Sequence, residues 1–158
     1  MERTIALRSQ ITAGLVAGVI AGIVMDAAYL AMQYATGVPA GKLLGLYVFV
    51  ASAVLGPSAY SNPNAVGIGI ALHFCVAIGW ALGYAYLVRT QPQLLRLPWL
   101  SGAAFGLVVY VFMQLILLFA GIYHRPSSPS ELAMQLLAHL LFYGTTVALI
   151  ISLMLRRA

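Results

Sequence analysis

The residues of this chain that could do chemistry are few, and they interrupt long apolar runs. Asp26, His73, Gln114 and His139 each stand within such a run. A carboxylate, two imidazoles and an amide can bind a proton, ligate a metal or form a buried hydrogen-bond network. Ionisable groups inside membrane segments are costly and normally face protein, so these residues are candidates for a functional site.

The composition predicts a membrane protein. Of 158 residues, 63% are hydrophobic and only 7% are charged. So few charges cannot cover the surface of a soluble domain, and we expect one integral membrane domain over residues 1–158 with the lipid bilayer as its partner. The formal charge of +5 is explained by basic residues near the ends of apolar segments, so no nucleic acid is expected. The only cysteine, Cys75, excludes an intrachain disulfide.

Four membrane spans are predicted, at about 11–34, 66–88, 99–122 and 131–155. Each has the ~20 residues or more needed to cross the hydrocarbon core. The expected fold is all-α: a transmembrane four-helix bundle with an additional short interfacial or re-entrant helix between spans one and two. With four crossings, Arg3, Arg8, Arg89, Arg96, Arg156 and Arg157 share one side, and Lys42 and Arg125 the other. The positive-inside rule then places both termini in the cytoplasm.

The outer segment 35–65 contains an apolar stretch, residues 43–55, that is too short to span alone. Gly56 and Pro57 end it. The favoured interpretation is a lid helix on the membrane surface. The alternative is a cap over a cavity.

Small and polar residues recur along one face of each span. Steps of four residues place them on one stripe, and glycines there allow close approach of another helix. We therefore predict that these stripes face the bundle interior. They are Gly14, Gly18, Gly22 and Asp26 in span one; Gly69, His73 and Ala77 in span two; Gly102, Gly106, Tyr110 and Gln114 in span three; and Gln135, His139, Tyr143 and Thr146 in span four.

The four strongly polar side chains are also predicted to lie at one depth. Counted from the outer end of its span, each lies seven or eight residues inside the membrane. At 1.5 Å per residue this is roughly 10–12 Å below the outer boundary. The spacing predicts that Asp26, His73, Gln114 and His139 converge, with Tyr110, Gln135, Tyr143 and Thr146 as secondary polar lining.

Several interpretations of this polar layer remain open. It can be a structural network that fixes helix register, with Asp26 paired to a histidine and Gln114 bridging to the other. It can bind or move a proton, since histidine changes charge near neutral pH. His73 and His139 can be the axial ligands of haem b. Asp26, His73 and His139 also have the residue types of a two-histidine, one-carboxylate transition-metal site.

Enzymatic activity is disfavoured, because the sequence has no recognisable nucleophile–base pair and no Walker A, HExxH or GxSxG motif. The alternative to a binding or transport protein is a structural or assembly subunit of a larger membrane complex. Gly79 and Gly83 form a GxxxG pair facing away from His73, which serves either packing within the bundle or a homo-oligomer contact.

The chain resembles an uncharacterised family of small four-pass bacterial membrane proteins. The resemblance rests on Gly37-Val38-Pro39 through Leu55-Gly56-Pro57 in the outer segment and on Leu72-His73-Phe74 in span two. It continues with Gly106, Tyr110 and Met113 in span three and His139 in span four. It implies a location in the bacterial inner membrane and assigns no activity. Asp26 lies outside this pattern.

Overall fold

The computed structural model describes residues 7–122 and 128–156, which form helices and turns with no β-strand among them. We number the helices α1 (Leu7–Ala35), α2 (Gly45–Leu55), α3 (Ala65–Thr90), α4 (Pro98–Phe119) and α5 (Pro129–Leu155). Helices α1, α3, α4 and α5 match the four predicted spans within a few residues. Arg3, Arg125 and Arg157, which enter the orientation argument, lie outside the described residues.

The segment between α1 and α3 is longer and more helical than the sequence indicated. Helix α2 is flanked by 3₁₀ turns at Ala40–Lys42 and Gly56–Ser61, so the apolar helical stretch covers Ala40–Ser61, 22 residues. By length and composition this stretch is suited to cross a membrane, as are the other four helices. The described chain is thus all-helical, with five apolar helices compatible with a small membrane protein.

Local sequence signals account for two of the helix starts. The Ser128 side chain accepts a hydrogen bond from the Glu131 backbone N–H, which makes Ser128 the N-cap of α5 with Pro129 in the first turn. Pro98 likewise occupies the first turn of α4, where the N-cap, Leu97, makes no side-chain hydrogen bond. Both starts were predicted from sequence. A capping serine accepts a hydrogen bond from a backbone N–H that has no partner within the helix, and proline has no N–H that needs a partner.

The glycine stripe of α1 packs directly on α3, as predicted. A Cβ added to Gly18 would lie 2.6 Å from the Cα of Ile78, and one added to Gly22 would lie 2.9 Å from the Phe74 ring. Such distances leave no room for a methyl group. Because these glycines have no side chains, the backbones of α1 and α3 pack in direct contact. This contact fixes the position along α3 that Asp26 faces.

Helices α4 and α5 cross at a second glycine contact. A Cβ on Gly106 would lie 2.1 Å from the carbonyl oxygen of His139, and one on Gly144 would lie 2.2 Å from that of Gly102. The facing part of α5, Ala138–Gly144, is π-helical. Glycines on both helices therefore bring the two backbones together where α5 departs from α-helical geometry.

Helix α2 packs antiparallel on the first turns of α3. The Tyr47 carbonyl is so close to Gly69 that a Cβ there would lie 1.9 Å from it. Ala51 is fully buried in one cluster with Ala65. Tyr47 precedes Ala51, whereas Gly69 follows Ala65, so the two helices run in opposite directions.

The interior is built largely of small residues, and large apolar side chains point outward. Ala13, Ala17 and Ala81 are fully buried. Phe119 and Val54, by contrast, are 87% and 68% exposed. A soluble monomer rarely exposes so much apolar surface, so this distribution indicates lipid contact.

Candidate functional site

Asp26 and His73 form a buried pair between α1 and α3. His73 Nε2 lies 3.0 Å from Asp26 Oδ1, and the two side chains are only 12% and 9% exposed. The atoms are at ion-pair distance without the alignment of a hydrogen bond. The attraction between them is therefore mainly electrostatic and is greatest when both groups are charged. The contact agrees with the equal depth predicted for these two residues.

Tyr47 of α2 completes this first group. Its hydroxyl donates a 2.8 Å hydrogen bond to Asp26 Oδ2, so each carboxylate oxygen has a neighbour from a different helix. The Tyr47 ring also lies edge-on to the His73 ring, with centroids 6.2 Å apart. Because a hydrogen bond to an ionised acceptor is stronger than a neutral one, this arrangement suits a charged carboxylate.

The packing around the pair explains why these side chains meet. Gly22 precedes Asp26 by one helical turn and leaves room for Phe74, the neighbour of His73. The Phe74 ring lies edge-on to the His73 imidazole, with centroids 5.5 Å apart. On the other side, Gly69 admits the backbone of Tyr47. A glycine thus lies one helical turn before Asp26 and another before His73, and each lets a neighbouring residue pack close to the pair.

A second, amide-rich group lies between α4 and α5. Gln114 Nε2 donates to Gln135 Oε1 at 3.2 Å, and the Tyr110 hydroxyl approaches the same oxygen at 3.5 Å. Gln135 Nε2 lies 3.5 Å from Glu131 Oε1. Gln135 is therefore the centre of this group, although the sequence suggested it only as secondary lining.

His139 belongs to the second group through its backbone neighbour. Its Nδ1 lies 2.8 Å from the Gln135 carbonyl oxygen. A carbonyl can only accept, so Nδ1 carries a hydrogen and Nε2 is the acceptor of the neutral ring. The Tyr110 ring packs edge-on at 5.3 Å. His139 stands at the start of the π-helical stretch, a feature often found at functional sites.

The contacts of the described residues thus sort the four predicted residues into two groups. Asp26 and His73 meet directly, whereas Gln114 and His139 are connected through Gln135. The predicted polar layer is therefore not a single hydrogen-bonded cluster of these four residues.

The arrangement does not assemble the proposed metal ligands. In residues 7–122 and 128–156, no three side chains of the His, Cys, Asp and Glu types form a group that could hold a metal ion. Asp26 and His73 pair, but His139 bonds to its own helix. The two-histidine, one-carboxylate interpretation therefore has its residue types but lacks the required geometry.

A bis-histidine haem fits equally poorly. His73 Nε2 would have to leave Asp26 before it could act as an axial ligand. The backbone of His139 is pressed against Gly106, so α4 and α5 have no gap there for a porphyrin edge. The space beside Gly106 is occupied by helix–helix contact.

The remaining residues of the predicted lining have different surroundings. The Tyr143 hydroxyl donates to the backbone carbonyl of Ala77, and the whole residue is buried. Thr146 is half-buried in α5. Tyr143 therefore ties α5 to α3 through a satisfied hydrogen bond and is not open polar lining.

Tyr47 is the site residue that sequence reasoning missed. It lies in the outer segment, which was interpreted mainly as a lid at the membrane surface. One signal was available: Tyr47 and Ser52 are the only hydrogen-bonding side chains in residues 43–55. An isolated phenol in an apolar helix needs a partner when it is buried.

No family model, curated protein or solved structure matches the chain. The geometry described above is therefore the basis for assigning a function.

Proposed function

We propose that this chain is a small multi-pass membrane protein that binds a proton at the Asp26–His73 pair and exchanges it with both sides of the membrane. The observation that carries the proposal is the 3.0 Å contact between a carboxylate and an imidazole inside an apolar bundle. Intramembrane carboxylate and histidine residues recur in proton relays. Imidazole is also the side chain whose unperturbed titration lies in the physiological range.

The proton inventory of the pair is simple. With Asp26 ionised and His73 neutral, the site carries one negative charge. Uptake of one proton by His73 gives an ion pair with no net charge, and its release restores the first state. The Tyr47 hydroxyl stabilises the carboxylate in both states, because it donates to Oδ2 while the imidazole lies at Oδ1.

The second group, whose centre Gln135 is neutral, is proposed as an extension of this site. Nε2 of His139 is the acceptor of its neutral ring, so His139 can take up a proton without first losing its bond to Gln135. Gln114 and Gln135 carry amides that do not titrate. They can orient water or His139, but they cannot hold the proton themselves. We therefore assign proton binding to His73, with Asp26 as its counter-charge and His139 as a second acceptor.

We further propose four membrane crossings, with α2 as the additional helix on the outer side. Tyr47, near the start of α2, already lies beside Gly69, which is near the start of α3. Helix α2 therefore accompanies only the first turns of α3, which is 26 residues long. A four-span chain also keeps Arg8, Arg89, Arg96 and Arg156 on one side.

This topology places both termini in the cytoplasm by the positive-inside rule. The resemblance to small four-pass bacterial proteins supports an inner-membrane location. Together these considerations make the end of α3 where α2 packs the outer end. The Asp26–His73 pair then lies in the outer half of the membrane.

Proton flux in reconstituted vesicles tests the proposed function. Vesicles containing the protein and a trapped pH indicator are given an imposed pH gradient, with a potassium ionophore to prevent charge build-up. The full-length protein should dissipate the gradient faster than protein-free vesicles. Asp26→Asn and His73→Gln should abolish that difference, because each removes one ionisable partner.

The matched control is Gln135→Leu, which disturbs the second group without removing a titrating side chain. It should retain flux if the first group is the proton site. Circular dichroism and size-exclusion elution establish that each variant is folded. Flux that is absent in the unsubstituted protein, or unchanged in folded Asp26→Asn, would contradict the proposal.

The second candidate function is a structural or assembly subunit of a larger membrane complex. It is favoured by the way Asp26 ties α1 to both α2 and α3, since such a network also fixes helix register. This function predicts that a partner protein, or a second copy, co-purifies in mild detergent. It also predicts that Asp26→Asn changes stability and assembly while flux is absent throughout.

A further inference from the structure

We propose that α2 is a gate over the Asp26–His73 pair and that Tyr47 is its positioning residue. This inference rests on the proposed proton site and adds a means of controlling access to it. In the docked state, Tyr47 is buried and occupies Asp26 Oδ2. Exchange of a proton with the outer side then requires α2 to move.

The docking contact is specific and local. Gly69 is the position on α3 where the Tyr47 backbone rests, and any side chain there would collide with the Tyr47 carbonyl oxygen. From this contact the Tyr47 side chain reaches α1 and bonds Asp26, 21 residues earlier in sequence. The lack of a side chain at Gly69 therefore lets Tyr47 pack close enough for its hydroxyl to reach the Asp26 carboxylate.

The interior of the α2 region is separate from the main core. Ala51, Ala59 and Ala65 form their own buried cluster, with Val48, Leu55 and Ile68 packed around it. The main cluster is built from α1, α3, α4 and α5 and contains no buried residue of α2. Helix α2 can therefore separate from α3 without unpacking the bundle that positions Asp26 and His73.

Glycines with positive φ lie before and after α2: Gly37 precedes the Ala40–Lys42 turn, and Gly56 directly follows α2. Gly37 has φ +87° and Gly56 has φ +60°, and neither has a neighbouring atom that a side chain would meet. Other residues rarely adopt such backbone angles. These positions allow the chain direction to change on either side of α2, which suits a segment that moves as a unit.

Docking of Tyr47 should slow proton exchange without changing how much proton the site binds. The pair itself sets the amount, because Asp26 and His73 carry the titrating groups. The gate sets the rate, because the hydroxyl and the α2 backbone stand between the pair and the outer end of α3. Rate and amount can therefore be measured separately.

The test is a pH jump on the full-length protein in nanodiscs, followed by time-resolved infrared spectroscopy. The imidazole signal of His73, which takes up the proton, is identified as the one lost in His73→Gln. Gly69→Ala, which prevents docking of the Tyr47 backbone, should speed equilibration of this signal by about tenfold or more, the equivalent of one lost hydrogen bond to a charged group. The signal amplitude should stay close to that of the unsubstituted protein.

Gly67→Ala is the matched control, because it makes the same chemical change on the same helix where a Cβ meets nothing within 4 Å. It should leave the rate unchanged. Tyr47→Phe is the second variant, needed if Gly69→Ala does not fold. It keeps the ring, removes the hydroxyl, and should also accelerate exchange.

The outcomes separate the gate from the proton site. A His73 signal that responds to pH at one rate in the unsubstituted protein, Gly69→Ala and Tyr47→Phe would overturn the gate and leave the proton site standing. A His73 signal that never responds to pH would remove the proton site and the gate together. Faster exchange in both variants, with Gly67→Ala unchanged, supports the gate.

Discussion

The two polar groups of this protein are built on different chemistry. The first joins α1, α2 and α3 through a carboxylate, an imidazole and a phenol. The second joins α4 and α5 through a pair of amides, beside a histidine bonded to the Gln135 backbone carbonyl on its own helix. The first group contains an ionisable pair, whereas the centre of the second, Gln135, is neutral at every pH.

The two groups have a similar predicted depth in the membrane, but they should respond differently to substitution. An ionised group in an apolar interior needs a partner of opposite charge, so removing either member leaves an uncompensated charge. A neutral amide loses only a hydrogen bond when its partner is removed. We therefore expect substitutions in the first group to have larger effects than those in the second, apart from changes that force the helix backbones apart.

The largest effect is expected for Asp26→Ala. It leaves His73 without its charged partner and the Tyr47 hydroxyl without its acceptor, and should lower the free energy of unfolding by about 3–5 kcal/mol. Denaturant titration in mixed micelles, followed by tryptophan fluorescence, measures this loss. The double variant Asp26→Leu with His73→Leu should lose less, because no charge remains unpaired. A loss of less than about 1 kcal/mol for Asp26→Ala would show that the pair is not ionised.

Gly106→Ala should be nearly as disruptive, although it changes no polar group. The added methyl would lie 2.1 Å from the His139 carbonyl oxygen, so α4 and α5 must separate. We expect a loss of about 3 kcal/mol in the free energy of unfolding. Gly79→Ala is the control, since its Cβ meets nothing within 4 Å. Equal stability of the two variants would contradict the close crossing of α4 and α5.

Gln135→Leu tests the centre of the neutral group. It removes the acceptor of Gln114 and the neighbour of Tyr110, so two partly buried donors lose their partner. The expected loss is about 2 kcal/mol, smaller than for Asp26→Ala. The same micelle titration measures it. A loss as large as that of Asp26→Ala would end the distinction between a charged and a neutral group.

Ser128→Ala should have the smallest effect. It removes the side-chain acceptor for the Glu131 N–H at the start of α5, which should cost about 1 kcal/mol. Because Glu131 and Gln135 follow on the same helix, the loss should weaken the second group and spare the first. Ser61→Ala, at an exposed serine bonded only within its own turn, serves as the control. Equal effects of the two substitutions would show that the α5 cap contributes nothing.

Much of the helical architecture could be predicted from sequence. Runs of apolar residues long enough to cross a membrane, ended by prolines and caps, predict helices wherever they occur, and α1, α3, α4 and α5 lie close to their predicted bounds. Steps of four glycines predicted the contact faces of α1 and α4, because only one face of a helix can meet a neighbour. The full helical extent of Ala40–Ser61 was missed, since its 3₁₀ turns carry no periodic signal.

Less of the candidate site could be predicted, because the sequence does not show which neighbouring helix each polar side chain faces. Depth along a span follows from counting residues, and it placed Asp26 level with His73. Which neighbour a side chain faces depends on how all the helices are rotated and arranged. The sequence therefore suggested one convergence of four residues, whereas Gln135 and Tyr47 turned out to organise two groups.

The sequence by itself determined that this is an apolar, helical chain with four strongly polar residues at similar depth in its predicted spans. Composition and periodicity are properties of single segments, so they can be read without knowing the neighbours. Only the tertiary structure decided that Asp26 pairs with His73, that Gln135 connects Gln114 and His139, and that α2 supplies Tyr47. These contacts depend on which helix backbone each glycine packs against, and that is decided only when the helices pack together.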